Sequence, residues 1–223
     1  MTKTTIIIGL LLLAHSAWSQ CQWQFGVESN TFMTRGVRDD YLGYPAQHTS
    51  RLSQSIAVLS AQRINERWFF TTGLMYAYVQ HQTGISALRW GSQHNGNGGF
   101  DPEINAGEPM PTVQYSHHYL ALPLRLRYNI TTGPWRLYVQ EGFIGRIALK
   151  SSETAIPEGF ATEPWISRRR AFTPALQTGL GLEKTIGRNL FVYIEPNIIW
   201  GQGPEDNQLS FGLAVGFRRP YLR

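Results

Sequence analysis

Several things are scarce in this chain of 223 residues, and each scarcity narrows what it can be. One cysteine is present, Cys21, so no internal disulfide can staple the fold. Charged residues make up 16 %, below the ~25 % typical of soluble globular domains. After the first twenty positions no apolar run approaches the ~20 residues a helix needs to cross a bilayer, which excludes a helical membrane protein. No amphipathic helix of convincing period is present, so nothing helical presents basic residues to nucleic acid. Metal-ligand, catalytic-triad and paired-carboxylate spacings are missing too, and neither a metal nor a cofactor is expected.

What is there begins with MTKTTIIIGLLLLAHSAWSQ. Lys3 supplies a short positive region, Ile6 to Ala14 an apolar run of secretory-signal length, and Ala17-Trp18-Ser19 small residues where a signal peptidase reads. Residues 1–19 are therefore expected to be a removable signal, and 20–223 the mature domain. Gln20 and Trp18 replace the residues a lipobox wants, so Cys21 is not expected to carry lipid. The formal charge of +5 comes from scattered basic residues, which argues against a nucleic-acid partner. The glycine-rich Asn95 to Gly99 neither follows a strand nor opens a helix, so it makes no phosphate cradle.

From Trp23 onward, period-two segments alternate with turn chemistry. Strands are expected near 22–34, 52–64, 67–82, 115–129, 134–150, 171–186, 189–200 and 207–219. Tight turns (Asn65-Glu66, Thr131-Thr132-Gly133, Gly187-Arg188) alternate with longer links at 35–51, 83–114, 151–170 and 201–206. All tight turns then fall at one end of the sheet. That is the layout of an eight-stranded antiparallel up-and-down transmembrane barrel, with short periplasmic turns, long outside loops and both termini periplasmic.

The stretch HHYLALPLRLRYNI, residues 117–130, shows the two faces most plainly. Leu120, Leu122, Leu124 and Leu126 share one side; Pro123, Arg125 and Arg127 share the other. A soluble sheet would turn its leucines inward, so alternation alone does not choose. Tryptophans and tyrosines near strand ends suit an interfacial girdle, and the other face, rich in glycine and poor in charge, suits a closed interior. Arg125 and Arg127 are then enclosed, with Glu28, Arg136, Gln140, Arg146, Glu183 and Glu195 as candidate partners in a lumen network. Pro123 is expected to mark a bulge or weakened pairing. Glu141 breaks the scheme: its parity puts it on the oily face unless a bulge resets the register.

Two sharper sites follow from the same parity. His81 and His117 meet inside the barrel near its long-loop end, where a metal or acyl-hydrolase site could form, although Ser116 points outward. Lys150 with Arg168, Arg169 and Arg170 forms a basic rim able to hold lipopolysaccharide phosphates in bidentate fashion; the plain alternative is a solvated charge run.

YLALPLRLRY, TGLGLEKTIGRNLFVYIEPNIIWG and LSFGLAVGFRR, with QFGVESN at the start, together resemble the strands of the PorT-like outer-membrane β-barrel family of Bacteroidota. The resemblance spans essentially the whole mature chain. It implies an outer-membrane location, eight strands of OmpA/OmpX type and no catalytic residues to carry over. Some relatives serve protein secretion. The expected function is a non-enzymatic, membrane-anchored structural or interaction protein whose partners are outer-membrane lipid, lipopolysaccharide and other envelope or secretion proteins. The alternatives are a barrel enzyme modifying envelope lipids and a soluble lipocalin-like ligand-binding barrel.

Overall fold

A computed structural model describes residues 23–37, 40–41, 44–85, 112–156, 171–187, 189–203 and 207–220. The segment expected to be a signal, 1–19, lies outside these residues, as do Arg168, Arg169 and Arg170. The described chain forms β1 (Trp23–Gly36), β2 (Asp40–Tyr41), β3 (Tyr44–Arg63), β4 (Trp68–Ile85) and β5 (Thr112–Asn129). It continues through β6 (Trp135–Ile156), β7 (Phe172–Ile186), β8 (Leu190–Gln202) and β9 (Asn207–Pro220). Each long strand pairs antiparallel with its sequence neighbour, and β1 pairs with both β3 and β9. The sheet therefore closes into an eight-stranded barrel, with β2 a two-residue extension on β3.

The turns at one end are tight for local reasons. Asn65 Oδ1 accepts from the backbone N–H groups of Arg67 and Trp68, both at 2.9 Å, which folds the β3–β4 link on itself. Gly133 and Gly187 adopt φ of 121° and 61°, a region that suits glycine alone, and each sits in one of the other tight turns.

At the opposite end the strands run further than sequence pattern suggests. β3 begins at Tyr44, β4 ends at Ile85, β5 begins at Thr112 and β6 ends at Ile156, so much of the expected loops 35–51 and 151–170 is ladder. Where their side chains are described, at 48–51 and 151–154, both faces are polar, and the apolar alternation that marks a lipid-facing strand fades there. One-residue bulges accommodate them, between Ser50 and Gln54 on β3 and at Leu149 on β6.

The large apolar side chains point outward. Leu122 is 51 % exposed, and Leu124, Leu126, Leu176, Leu180, Ile194, Phe211, Leu213 and Val215 are exposed with it. Arg125, one residue from two of those leucines, is 2 % exposed and turned inward. Such an exterior demands an apolar surrounding, and a water-soluble lipocalin-like barrel is ruled out by it. On β5 the outward band runs from Tyr128 to Leu120, within the ~9–11 tilted residues that cross a bilayer. Aromatics edge the band at the tight-turn end. The Trp68 and Tyr128 rings lie 4.9 Å apart, and Lys184 Nζ sits 4.7 Å from the Trp135 ring centroid.

Two local expectations are settled by the register. Pro123 makes no bulge: pairing with β6 is unbroken through Pro123↔Ile144, and pairing with β4 lapses between Thr72↔Leu124 and Met75↔Ala121 without a shift. A missing N–H removes ladder bonds on one side only. Glu141 faces outward, since Leu126↔Glu141 and Glu141↔Thr178 lie in unbroken ladders, and Thr178 Oγ1 donates to its Oε1 at 2.6 Å.

Leu124→Arg places a guanidinium at the middle of the outward band and should cost about 2–4 kcal/mol in lipid vesicles. Urea unfolding of vesicle-inserted protein measures it; an unchanged midpoint would put Leu124 somewhere other than in acyl chains.

Candidate functional site

Inward positions follow strictly from strand parity, and they fill the lumen in tiers. Nearest the tight turns lies the charged tier. Arg125 Nη1 donates to both carboxylate oxygens of Glu28, at 2.8 and 2.9 Å, and the Tyr193 hydroxyl donates to Glu28 Oε2 at 2.9 Å. Glu183 is the second hub: Arg127 Nη1 lies 2.8 Å from its Oε2, Arg218 Nη2 bonds the same oxygen, and Arg136 Nη1 is 3.5 Å from Oε1. Arg127 also donates from Nε to Asn129 Oδ1 at 2.8 Å and stacks 3.6 Å from the Tyr138 ring centroid. Glu195 is met by an amide: Gln140 Nε2 donates to its two oxygens at 3.0 and 3.2 Å.

Glycines make room for these side chains. A Cβ on Gly181 would overlap the Tyr138 ring, one on Gly216 the Tyr193 ring, and one on Gly142 would come 2.7 Å from Arg125 Cγ. Small residues on one strand thus face long ones on the next, which is how a narrow barrel encloses guanidinium groups at all.

Next along the axis comes an apolar belt. Leu59, Met75, Ile144 and Ile199 pack together with Ala57, Ala121 and Ala175, all turned inward and buried. Beyond it Phe32, Ala77, Val79 and Tyr119 form a second cluster. Polar side chains are buried beside these layers as well: Asn197 Nδ2 donates to Asn30 Oδ1 at 3.4 Å and to the Glu195 carbonyl at 3.2 Å.

The upper tier is aromatic and polar. His81 stacks on Tyr115 at 4.9 Å and lies 5.7 Å from the His117 ring, so the two histidines do meet inside the barrel. Ser116 faces outward, where it accepts from Gln80 at 3.2 Å. A different serine meets His117: Ser151 Oγ is 3.0 Å from His117 Nδ1. No group of three or more histidine, cysteine or acidic side chains suited to a metal occurs among the described residues.

Of the eight residues expected in the lumen network, Glu28, Arg125, Arg127, Arg136, Gln140, Glu183 and Glu195 all find a partner within it. Arg136 is the rim member, 26 % exposed, and also donates from Nε to the Gly133 carbonyl at 3.2 Å. Arg146 is buried and inward but does not join: the apolar belt stands between it and the carboxylates. Parity names a face, whereas height along the axis depends on strand tilt. Arg218 was missed, although the inward series Ser210, Gly212, Ala214, Gly216 reaches it in one more step. Lys150 is exposed, paired in the ladder with His118. On that outer surface the His118 Nδ1 bonds Tyr76 Oη at 2.6 Å.

Arg125→Met leaves Glu28 buried with only Tyr193 as a donor and should cost about 3–5 kcal/mol; Glu28→Gln should cost a similar amount. The double variant should lose clearly less than the sum of the two. Equilibrium unfolding of the four proteins checks this, and strict additivity would mean the two groups do not interact.

Known proteins bear on this geometry as follows. None of the curated proteins matches the chain. Among solved structures, Neisserial surface protein A (NspA) is similar at 12 % identity, with 88 % of this chain and 97 % of that one covered and a TM-score of 0.46. OprG from Pseudomonas aeruginosa is similar at 12 % identity, covering 90 % and 96 %, with a TM-score of 0.44. Ail, the attachment invasion locus protein of Yersinia pestis, is similar at 11 % identity, covering 87 % and 97 %, with a TM-score of 0.36. A family model described as the outer membrane protein beta-barrel domain matches residues 18–198, well over half the chain. An outward leucine band around a closed, ion-paired lumen is what such a protein needs, and the chain belongs to the outer membrane protein beta-barrel domain family.

Proposed function

We propose that this chain is a non-enzymatic anchor and interaction scaffold of the outer membrane, allied to the PorT-like barrels of Bacteroidota and linked to protein secretion. Its tight turns and both chain termini of the barrel face the periplasm, and its longer connections face outward. The observation that carries the reading is the filled lumen: buried ion pairs near the tight turns and packed apolar clusters above them. A barrel closed in this way does not serve diffusion, so its exposed connections are what it has to offer. Strands β3 to β6 extend beyond the apolar band at that end, which raises those connections clear of the lipid. Lys150, beside Tyr76 and His118 on the outer surface, belongs with Arg168, Arg169 and Arg170 in a rim that holds lipopolysaccharide phosphates.

The test is cross-linked affinity capture from detergent-solubilised outer membranes, comparing the intact chain with one whose residues 86–111 are replaced by a short glycine-serine link. A defined envelope or secretion protein should travel with the intact chain and be lost from the variant. A barrel that purifies alone in both forms would contradict the scaffold.

One observation favours a second reading, an acyl hydrolase acting on envelope lipids: the contact of Ser151 Oγ with His117 Nδ1. Both groups face the lumen, so a substrate chain would have to enter the mouth. Envelope lipid profiles from cells carrying the wild type and His117→Ala decide it; identical profiles end the enzymatic reading.

A further inference from the structure

Among the described residues, one enclosed cation is left without a counter-charge. Arg125, Arg127 and Arg218 each lie within ion-pair distance of a carboxylate. Arg146, on the inner face of β6 above the apolar belt, is 6 % exposed and forms no ion pair among the described residues. Its Nη2 donates to the Gln202 carbonyl oxygen at 2.8 Å, and its guanidinium carbon stands 5.2 Å from the Tyr119 ring centroid. Its Nε–H, a donor with no other use, has no partner. The next acid along β6, Glu153, is seven residues on, roughly 23 Å at a strand's rise of ~3.3 Å per residue.

A second orphan stands beside it. Thr173 pairs with Arg146 across the β6–β7 ladder, turns inward and is 0 % exposed, and its hydroxyl also lacks a partner. Buried donors without a partner are uncommon in folded proteins, and a water or ion held at the site is one way to satisfy them. A neutral water satisfies a hydroxyl, but it does not neutralise an enclosed guanidinium. A carbonyl oxygen and a ring face offset part of that charge and no more.

β7 begins at Phe172, paired with Ile147, and β8 ends at Gln202, so two strands finish close to Arg146 on the long-connection side of the barrel.

We propose that the upper lumen is a binding site for a small oxyanion of the phosphate type. Arg146 supplies the charge, Thr173 the second hydrogen bond, and Tyr119 the face on which the guanidinium is held. The site is separate from the Glu28 and Glu183 hubs and does not depend on the scaffold reading. The same chemistry could arrive as a soluble phosphate or as the phosphate of a lipid headgroup, and the lumenal position favours the soluble form.

The test uses the full barrel refolded into phosphatidylcholine vesicles, with thermal unfolding followed by tryptophan fluorescence. Inorganic phosphate should raise the midpoint by several degrees and saturate, whereas sodium chloride at equal ionic strength should not. Arg146→Gln should abolish the rise. Thr173→Val, which keeps the cation and the volume, should shift the half-saturating phosphate concentration upward by about tenfold. Glu205 and Asp206 follow Gln202 closely in the sequence, so Glu205→Gln with Asp206→Asn forms a further arm that should leave the response intact. A response gained only in that arm would mean the chain's own carboxylates fill the site, and the proposal falls. Stabilisation seen only when phosphatidic acid replaces soluble phosphate would overturn the soluble-ligand assignment. No phosphate response in any arm would overturn the site.

Discussion

Three of the four guanidinium groups buried among the described residues are met by a carboxylate, and this pairing orders the interior near the tight turns. Arg125 needs Glu28, and Arg127 and Arg218 need Glu183. These residues come from β1, β5, β7 and β9, so satisfying them fixes strands that are far apart in sequence. Removing one partner leaves the other charged and dry, which is far more costly than never having buried either. The network therefore does more to specify one arrangement of the barrel than to stabilise it in total.

The same constraint explains where the glycines fall. A side chain as long as arginine or tyrosine spans much of so narrow a lumen, so the facing strand has to be bare. Gly181 opposite Tyr138, Gly216 against Tyr193 and Gly142 beside Arg125 meet that need. Above them the belt around Ile144 and Met75 requires no partners and simply excludes water. Ion pairs beneath a dry layer are screened little, which strengthens each of them. The ion-paired tier and the belt together fill the interior at these heights.

Strand existence, the alternation of turns and the choice of faces were legible because each depends on period two, which the sequence carries in the leucines of 120–126 and the glycines of 212 and 216. Matching each arginine to its acid was not legible. Parity puts Arg125, Arg146 and Glu28 on one face, but only tilt and shear decide which of them share a height. That is why Arg146 was grouped with a network it stands apart from. Arg218 continues the inward parity of Ser210, Ala214 and Gly216, but its pairing with Glu183 again depends on height. The length of β3 to β6 was obscured because above the apolar band both faces are polar, and a polar ladder reads as loop. For Glu141 parity left the outer face and a register-resetting bulge both open; the unbroken ladder keeps it outward, and its contact with Thr178 shows how a polar group is accommodated on a lipid-facing strand. Ser151 gave no signal, since its meeting with His117 depends on the bulge at Leu149.

The central claim is that leucines face lipid while the arginines between them are enclosed. Spin labels on single cysteines placed along 119–126, in a Cys21→Ser background and in lipid vesicles, report it by power saturation. The account predicts that even-numbered positions collide with oxygen dissolved in the acyl chains and that odd-numbered positions do not. Oxygen access at the odd positions, or a pattern with no period of two, would contradict it.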